Sequence, residues 1–150
     1  MKRALLALWL PVCLLGFLCA PQLHGVRVLV VDDDDDARQM ISTVLSRSGA
    51  EVGASASASE ALTELRHWKP DVLLSDIGMP HEDGYDLIRR VRALAAAQGG
   101  HVPAAALTAY ARDEDRERAL AAGFQLHVAK PIGSIELIST VADLARQPHI

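Results

Sequence analysis

The stretch VRVLVVDDDDD, Val26 to Asp36, is an apolar run of strand length that ends abruptly in five consecutive aspartates. Val26, Val28, Leu29, Val30 and Val31 are β-rich and almost free of polar residues, the pattern of a strand buried on both faces of a parallel sheet. In open α/β sheets the ligand site lies beyond the carboxyl ends of the strands, which places Asp32 and Asp33 where chemistry is usually done. Acidic runs are more often solvated linkers. This one is joined directly to a buried strand, and like charges crowded at one end of a sheet repel unless a cation or proton neutralises them. That asks for a divalent metal with oxygen ligands, most simply Mg²⁺.

Downstream of the aspartates, Ala37, Met40, Ile41, Val44 and Leu45 repeat at helical spacing, with Arg38, Gln39, Ser42 and Arg47 off that face. Gly49 is placed to end this helix. A weak strand is expected at about Glu51 to Ala54. Ser57-Ala58-Ser59-Glu60 then reads as a capping box opening a second helix, which Lys69-Pro70 stops. DVLLSD, Asp71 to Asp76, is a second strong strand that again ends in a carboxylate. After a loop carrying Gly78, Pro80 and Gly84, the spacing of Leu87, Ile88, Val91, Leu94 and Ala95 predicts a third helix running to Gly99-Gly100. Val102 to Leu107 is an apolar strand ending at Thr108, although its alanines are poor β formers. Arg112 to Ala122 is a highly charged helix with a thin apolar stripe, either a solvated outer helix or one held loosely enough for regulation. Gln125 to Ala129 forms the last strand. Lys130-Pro131 follows, and Ser134 is expected to cap a final helix with Leu137, Ile138, Val141 and Leu144 inward. Five strands alternating with five helices imply right-handed crossovers and a parallel sheet covered on both faces.

Length and composition suit one such domain: 150 residues, 50% hydrophobic. The formal charge of −4 provides no basic footprint, so direct nucleic-acid binding is disfavoured. Both cysteines, Cys13 and Cys19, precede the first strand, so the body of the chain has neither a disulfide framework nor a cysteine metal site. They fall in a segment where Lys2 and Arg3 precede the apolar run Ala4 to Ala20, which looks like a signal peptide or short anchor. The division expected is an apolar leader over 1–22, a globular domain over 25–146 and a tail over 147–150.

At the carboxyl ends of the strong strands stand Asp32 and Asp33, Asp76, Thr108 and Lys130. Three carboxylates, a hydroxyl and an ammonium on one sheet edge make a site for a metal and a phosphoryl group. The acids hold Mg²⁺, while the metal and Lys130 neutralise phosphoryl oxygens and Thr108 donates a hydrogen bond. A carboxylate in the set can itself be the nucleophile and form an acyl phosphate.

With these residues in order the chain resembles the receiver domains of two-component signalling, the response-regulator module. The matching pieces are VLVVDD at Val28 to Asp33, LLSDIGMPHEDG at Leu73 to Gly84, ALTAY at Ala106 to Tyr110 and VAKP at Val128 to Pro131. The resemblance covers about Val26 to Ala145. It implies a flavodoxin-like, CheY-like doubly wound α/β fold: a five-stranded parallel sheet in the order 2-1-3-4-5. It further implies that Asp76 is the phosphorylated aspartate, that Asp32 and Asp33 bind Mg²⁺ with Asp76, and that the backbone carbonyl of Gly78 is a further ligand. Thr108 then matches the switch hydroxyl, Lys130 the lysine that meets the phosphoryl group, and Pro131 the residue after a commonly cis bond. Asp34, Asp35 and Asp36 match no required position and read as the solvated start of a helix.

One position departs from the family's common pattern, and two others fall where the family varies. Where an aromatic switch residue often stands, three before the lysine, this chain has His127, smaller and able to titrate near neutral pH. Gly78 and Tyr110 occupy the variable positions that influence acyl-phosphate lifetime in the family; Gly78 has no side chain to orient water, whereas Tyr110 is able to shield the site.

The function expected is therefore a phosphoacceptor switch rather than an enzyme. A sensor or hybrid histidine kinase, in another chain or in the same parent chain, charges Asp76. Thr108 and His127 relay this to a protein partner or a histidine phosphotransfer protein through the fourth helix, fifth strand and fifth helix. No small-molecule substrate beyond the phosphodonor is expected. The alternatives are a degenerate receiver acting as a binding scaffold, and a haloacid-dehalogenase-type phosphohydrolase, which needs a DxD nucleophile motif on the first strand, a further acidic motif and usually a cap domain. The end at Ile150 leaves both a single-domain regulator and the terminal receiver of a hybrid kinase open. A kinase charged from cytoplasmic ATP implies a cytoplasmic domain, against the export that the leader suggests. The leader is then an inverted anchor, giving membrane contact, or an artefact of the assigned start.

Overall fold

The computed structural model describes residues 22–109 and 112–147. The leader to residue 21, Tyr110 and residues 148–150, on which several expectations fall, lie outside the described residues. Five strands, β1 (Arg27–Val31), β2 (Glu51–Ser55), β3 (Val72–Asp76), β4 (Ala104–Thr108) and β5 (Leu126–Ala129), form one parallel sheet in the order β2-β1-β3-β4-β5. Between and after them run α1 (Asp35–Arg47), α2 (Ala58–Trp68), α3 (Gly84–Arg92), α4 (Asp113–Ala122) and α5 (Ser134–Ala145).

Strand alternation divides the core in two. Leu29, Val31, Leu73, Ala104 and Ala106 meet Leu62 and Leu65 of α2, Leu87, Ile88 and Val91 of α3, and Ala119 of α4. Val28, Val30, Val72, Leu74, Ala105, Leu107 and Val128 meet Ile41 and Leu45 of α1 and Leu137, Val141 and Leu144 of α5. The central strands β3 and β4 are buried at every residue, as continuous apolar runs require, whereas β2 and β5 are the partly exposed edges. The alanines of β4 take strand conformation in a strand buried at every residue, so packing overrides propensity.

Three local expectations are corrected. Helix α3 stops at Arg92, capped at Ala93, and a 3-10 turn at Ala96–Gln98 intervenes before Gly99. The chain turns extended at Ala95, and the half-buried Arg92 guanidinium holds this early turn by donating to the carbonyls of Gly123, Gly100 and Val102. Ser134 is the first residue of α5 rather than its cap; Gly133 holds the N-cap position, with no side-chain bond. The α2 box is displaced by one residue: Ser57 Oγ accepts from Glu60 N–H, but the Glu60 carboxylate reaches back to Ala56 N–H at 2.9 Å. A full reciprocal box stands instead at Asp83 and Asp86, opening α3.

Candidate functional site

Strand register builds the site. Val31 is paired with Ser75, and Asp76 with Leu107, so the chain emerging from β1 and β3 reaches the same edge together. Thr108 follows on β4 and is paired with Ala129, and the Lys130 N–H donates to the Thr108 carbonyl at 2.7 Å. Lys130 is thereby turned toward the middle of the sheet. Its Nζ donates to Asp32 Oδ2 and to Asp76 Oδ1, each at 3.0 Å. Asp32 is 1% exposed and Asp76 8%.

The acidic run separates by role. Asp32 Oδ1 accepts from Asp34 N–H at 2.9 Å, so both of its oxygens are oriented. Asp33 is exposed, yet one of its oxygens lies within 4.8 Å of carboxylate oxygens of Asp32 and Asp76. Asp34 is the N-cap of α1, accepting from the N–H groups of Asp36 and Ala37, and Asp35 and Asp36 occupy the first turn. This matches the solvated helix start expected for these three.

Burial pushes the Asp76 carboxyl above its ordinary 3.8; Asp32 and Asp33 add to the rise, and Lys130 opposes it. For Lys130, burial acts to lower the ammonium pKa, but the bonds and charges of Asp76 and Asp32 together raise it. The site thus holds three carboxylates against one ammonium, with burial disfavouring the charge on Asp76. This hard-oxygen donor set fits a small divalent cation, and the acids able to hold it are Asp32, Asp33 and Asp76.

The remaining expected residues fall around this cluster. Thr108 is 5% exposed at the end of β4. Gly78 lies in the loop two residues past Asp76, with open space where a side chain would project. Pro131 follows Lys130 across a cis peptide bond. His127 does not join the acids. It pairs with Ala106 in the sheet and belongs to the side covered by α4, where its Nε2 is buried without a hydrogen-bond partner. Burial lowers its pKa below the usual 6.5, with Asp115 opposing and Arg116 assisting.

Two contributors escaped the sequence reading. Arg38, off the apolar face of α1, donates from Nη1 to the Asp32 carbonyl at 2.7 Å and also pairs with Asp35. Its signal was spacing alone, six residues beyond Asp32. Gly84 lets the start of α3 pass close to the end of β3: a Cβ there would stand 2.4 Å from the Asp76 carbonyl oxygen.

Known proteins share this fold. The family model of the response regulator receiver domain matches residues 28–142. An uncharacterised 14.6 kDa protein of Leptolyngbya boryana is 47% identical over 114 residues, covering 76% of this chain and 86% of that one. Hybrid signal transduction histidine kinase D of Dictyostelium discoideum is 34% identical over 128 residues, covering 81% of this chain but 8% of the kinase. Among solved structures, the chemotaxis protein CheY4 of Vibrio cholerae superposes with a TM-score of 0.74 at 31% identity, covering 79% of this chain and 98% of its own.

Proposed function

Because the chain belongs to the response regulator receiver family of two-component signalling, we propose that Asp76 is its phosphoacceptor, charged by a histidine kinase. Receivers are signalling domains that interact with such kinases and typically bind Mg²⁺ through their acidic pocket. The observation that carries the proposal is the Lys130 ammonium set between the Asp32 and Asp76 carboxylates.

The transfer follows from this arrangement. An Asp76 oxygen bonds to phosphorus as the donor's N–P bond breaks, and the imidazole nitrogen keeps the electron pair and takes up a proton. Lys130 exchanges its contact with the Asp76 oxygen for one with a phosphoryl oxygen, so positive charge is already placed where negative charge gathers. Thr108 supplies a hydroxyl from the adjoining strand end. Asp32, Asp33, Asp76 and the Gly78 carbonyl would hold Mg²⁺, whose chemistry is to neutralise phosphoryl oxygens and relieve repulsion among the acids. His127 on the α4 side is the relay toward a downstream protein or histidine phosphotransfer partner, and the domain works in the cytoplasm, where the kinase meets ATP. No helix among the described residues is long and apolar enough to cross a membrane.

The phosphohydrolase alternative needs both aspartates of a DxD motif free for chemistry, whereas Asp34 is occupied in capping α1 and Asp35 pairs with Arg38. The scaffold alternative is separated by experiment. Incubation with acetyl phosphate and Mg²⁺, followed by intact mass, should show one phosphoryl adduct that EDTA prevents. An unmodified mass under these conditions would leave the protein as a scaffold.

A further inference from the structure

The three acids are held unequally. Asp32 and Asp76 each accept a bond from Lys130 at 3.0 Å, and Asp32 Oδ1 accepts a second from Asp34 N–H. Asp33 is exposed, and its carboxylate bonds to none of the described residues, although one of its oxygens lies within 4.8 Å of carboxylate oxygens of Asp32 and Asp76. An exposed side chain without a partner spreads over its rotamers, so the direction in which the backbone presents it decides how often it faces the other two.

That direction is set by the peptide joining Asp32 to Asp33. The unit is planar, so a bond to its carbonyl oxygen fixes the plane from which Asp33 projects. The Asp32 carbonyl accepts from Arg38 Nη1 at 2.7 Å, while the Asp32 N–H, one peptide earlier, donates to the Ser55 carbonyl at 3.2 Å. The Arg38 side chain is 20% exposed, so water competes weakly for a bond that is already strengthened by charge.

Arg38 gains little from the helix that carries it. Its head group folds back over the first turn of α1, the pole of the helix dipole that repels a cation. Its other terminal nitrogen pairs with Asp35. The planar fork therefore grips the turn at two points, and Asp35 offsets a charge that would otherwise act against a cation bound nearby. We propose that Arg38 is the positioning residue of the cation site, a role that holds only if the three acids bind a divalent ion. By clamping the Asp32 carbonyl and Asp35 across the β1–α1 turn, it keeps Asp33 facing Asp32 and Asp76 without touching the ion.

The test is titration of the full chain with Mn²⁺, followed by the paramagnetic resonance signal of the free ion, because carboxylate oxygens take Mn²⁺ as they take Mg²⁺. Arg38→Ala should weaken binding about tenfold, the usual cost of losing a group that orients a metal ligand from behind. Arg38→Lys keeps the charge but replaces the fork by a point donor, and should also bind several-fold more weakly than the wild type. Circular dichroism checks that each variant folds; should Arg38→Ala fail, Arg38→Lys carries the test alone. With acetyl phosphate, the Mg²⁺ concentration giving half the phosphoryl adduct should rise by a similar factor, whereas a loss of stability alone would lower the adduct at every Mg²⁺ concentration alike. Wild-type affinity in Arg38→Ala overturns the inference and leaves the cation site standing. Wild-type affinity in Arg38→Lys overturns it too, because charge rather than the clamp would then be at work. No Mn²⁺ bound by the wild type overturns the cation site itself, and the role of Arg38 with it.

Discussion

Helices α3 and α4 cover the same face of the sheet side by side, yet α3 buries Gly84, Tyr85, Leu87, Ile88 and Val91, whereas α4 buries Ala119 alone. Helix α3 opens on the reciprocal Asp83–Asp86 box; α4 has no side-chain cap. What ties α4 down is peripheral: the Arg118 guanidinium 4.1 Å over the Tyr85 ring, and Arg92 bonded to the Gly123 carbonyl beyond its last turn. Each helix also meets a different part of the site. The start of α3 abuts the Asp76 carbonyl, while α4 covers the side of the sheet that carries His127. The carboxylate-bearing edge is thus framed by a firmly packed helix, while the helix over the β5 side is held by few buried contacts and is free to open at lower cost.

The largest effect that would break this comparison is expected from Asp76→Asn. In the wild type, acetyl phosphate with Mg²⁺ should alter amide hydrogen exchange in α4 and leave α3 unchanged. Asp76→Asn should abolish both the phosphoryl adduct and the exchange response, and an α3 response exceeding that of α4 would reverse the assignment. Next in size is a contrast between two leucines. Leu87→Ala on α3 should lower unfolding free energy by about 3 kcal/mol, because Leu87 is fully buried. Leu120→Ala on α4, where the side chain is 41% exposed, should change it by about 0.5 kcal/mol or less in the same denaturant titration.

Smaller effects concern charge. The Asp76 carboxyl, lifted above 3.8 chiefly by burial, holds its proton more tightly in the folded state than in the unfolded one. Ionising it therefore opposes folding. The penalty is absent below the unfolded value, grows as pH rises through the folded value, and is complete above it. In EDTA, Asp76→Asn should consequently melt above the wild type at pH 7 and lose that advantage as pH falls toward 3.8. Equal melting curves at both pH values would remove the electrostatic account. His127 sharpens the α4 side with the opposite sign. Its pKa is lowered chiefly by burial, so the unfolded chain takes up the proton first, and stability falls as pH drops below 6.5 until the folded value is passed. His127→Phe should match the wild type near pH 8 and melt progressively higher below pH 6.5. A constant offset across that range would mean that titration of His127 contributes nothing.

Much of the framework was legible locally. The apolar runs Val28 to Val31 and Val72 to Leu74 identified the central strands, because strands covered on both faces are apolar at nearly every position. Asp34 to Asp36 read correctly as a helix start because capping is a contact between near neighbours. The early end of α3 was not legible: Leu94 and Ala95 continue the helical period, and the turn that replaces it is held by Arg92 reaching Gly123, 31 residues away. The Arg38 bond to the Asp32 carbonyl and the place of Gly84 against Asp76 were likewise hidden, since each depends on how an element docks.

From its sequence alone the chain determined its alternation of strands and helices and the delivery of acidic side chains to strand ends, for both are written in periodicities of two and 3.6 residues. Tertiary structure decided which charges meet. Lys130 is 98 residues from Asp32 and 54 from Asp76, and their contact exists because parallel register brings three strand ends to one edge. Coulombic pairing depends on distance in space, and no local pattern encodes that distance until the sheet has closed.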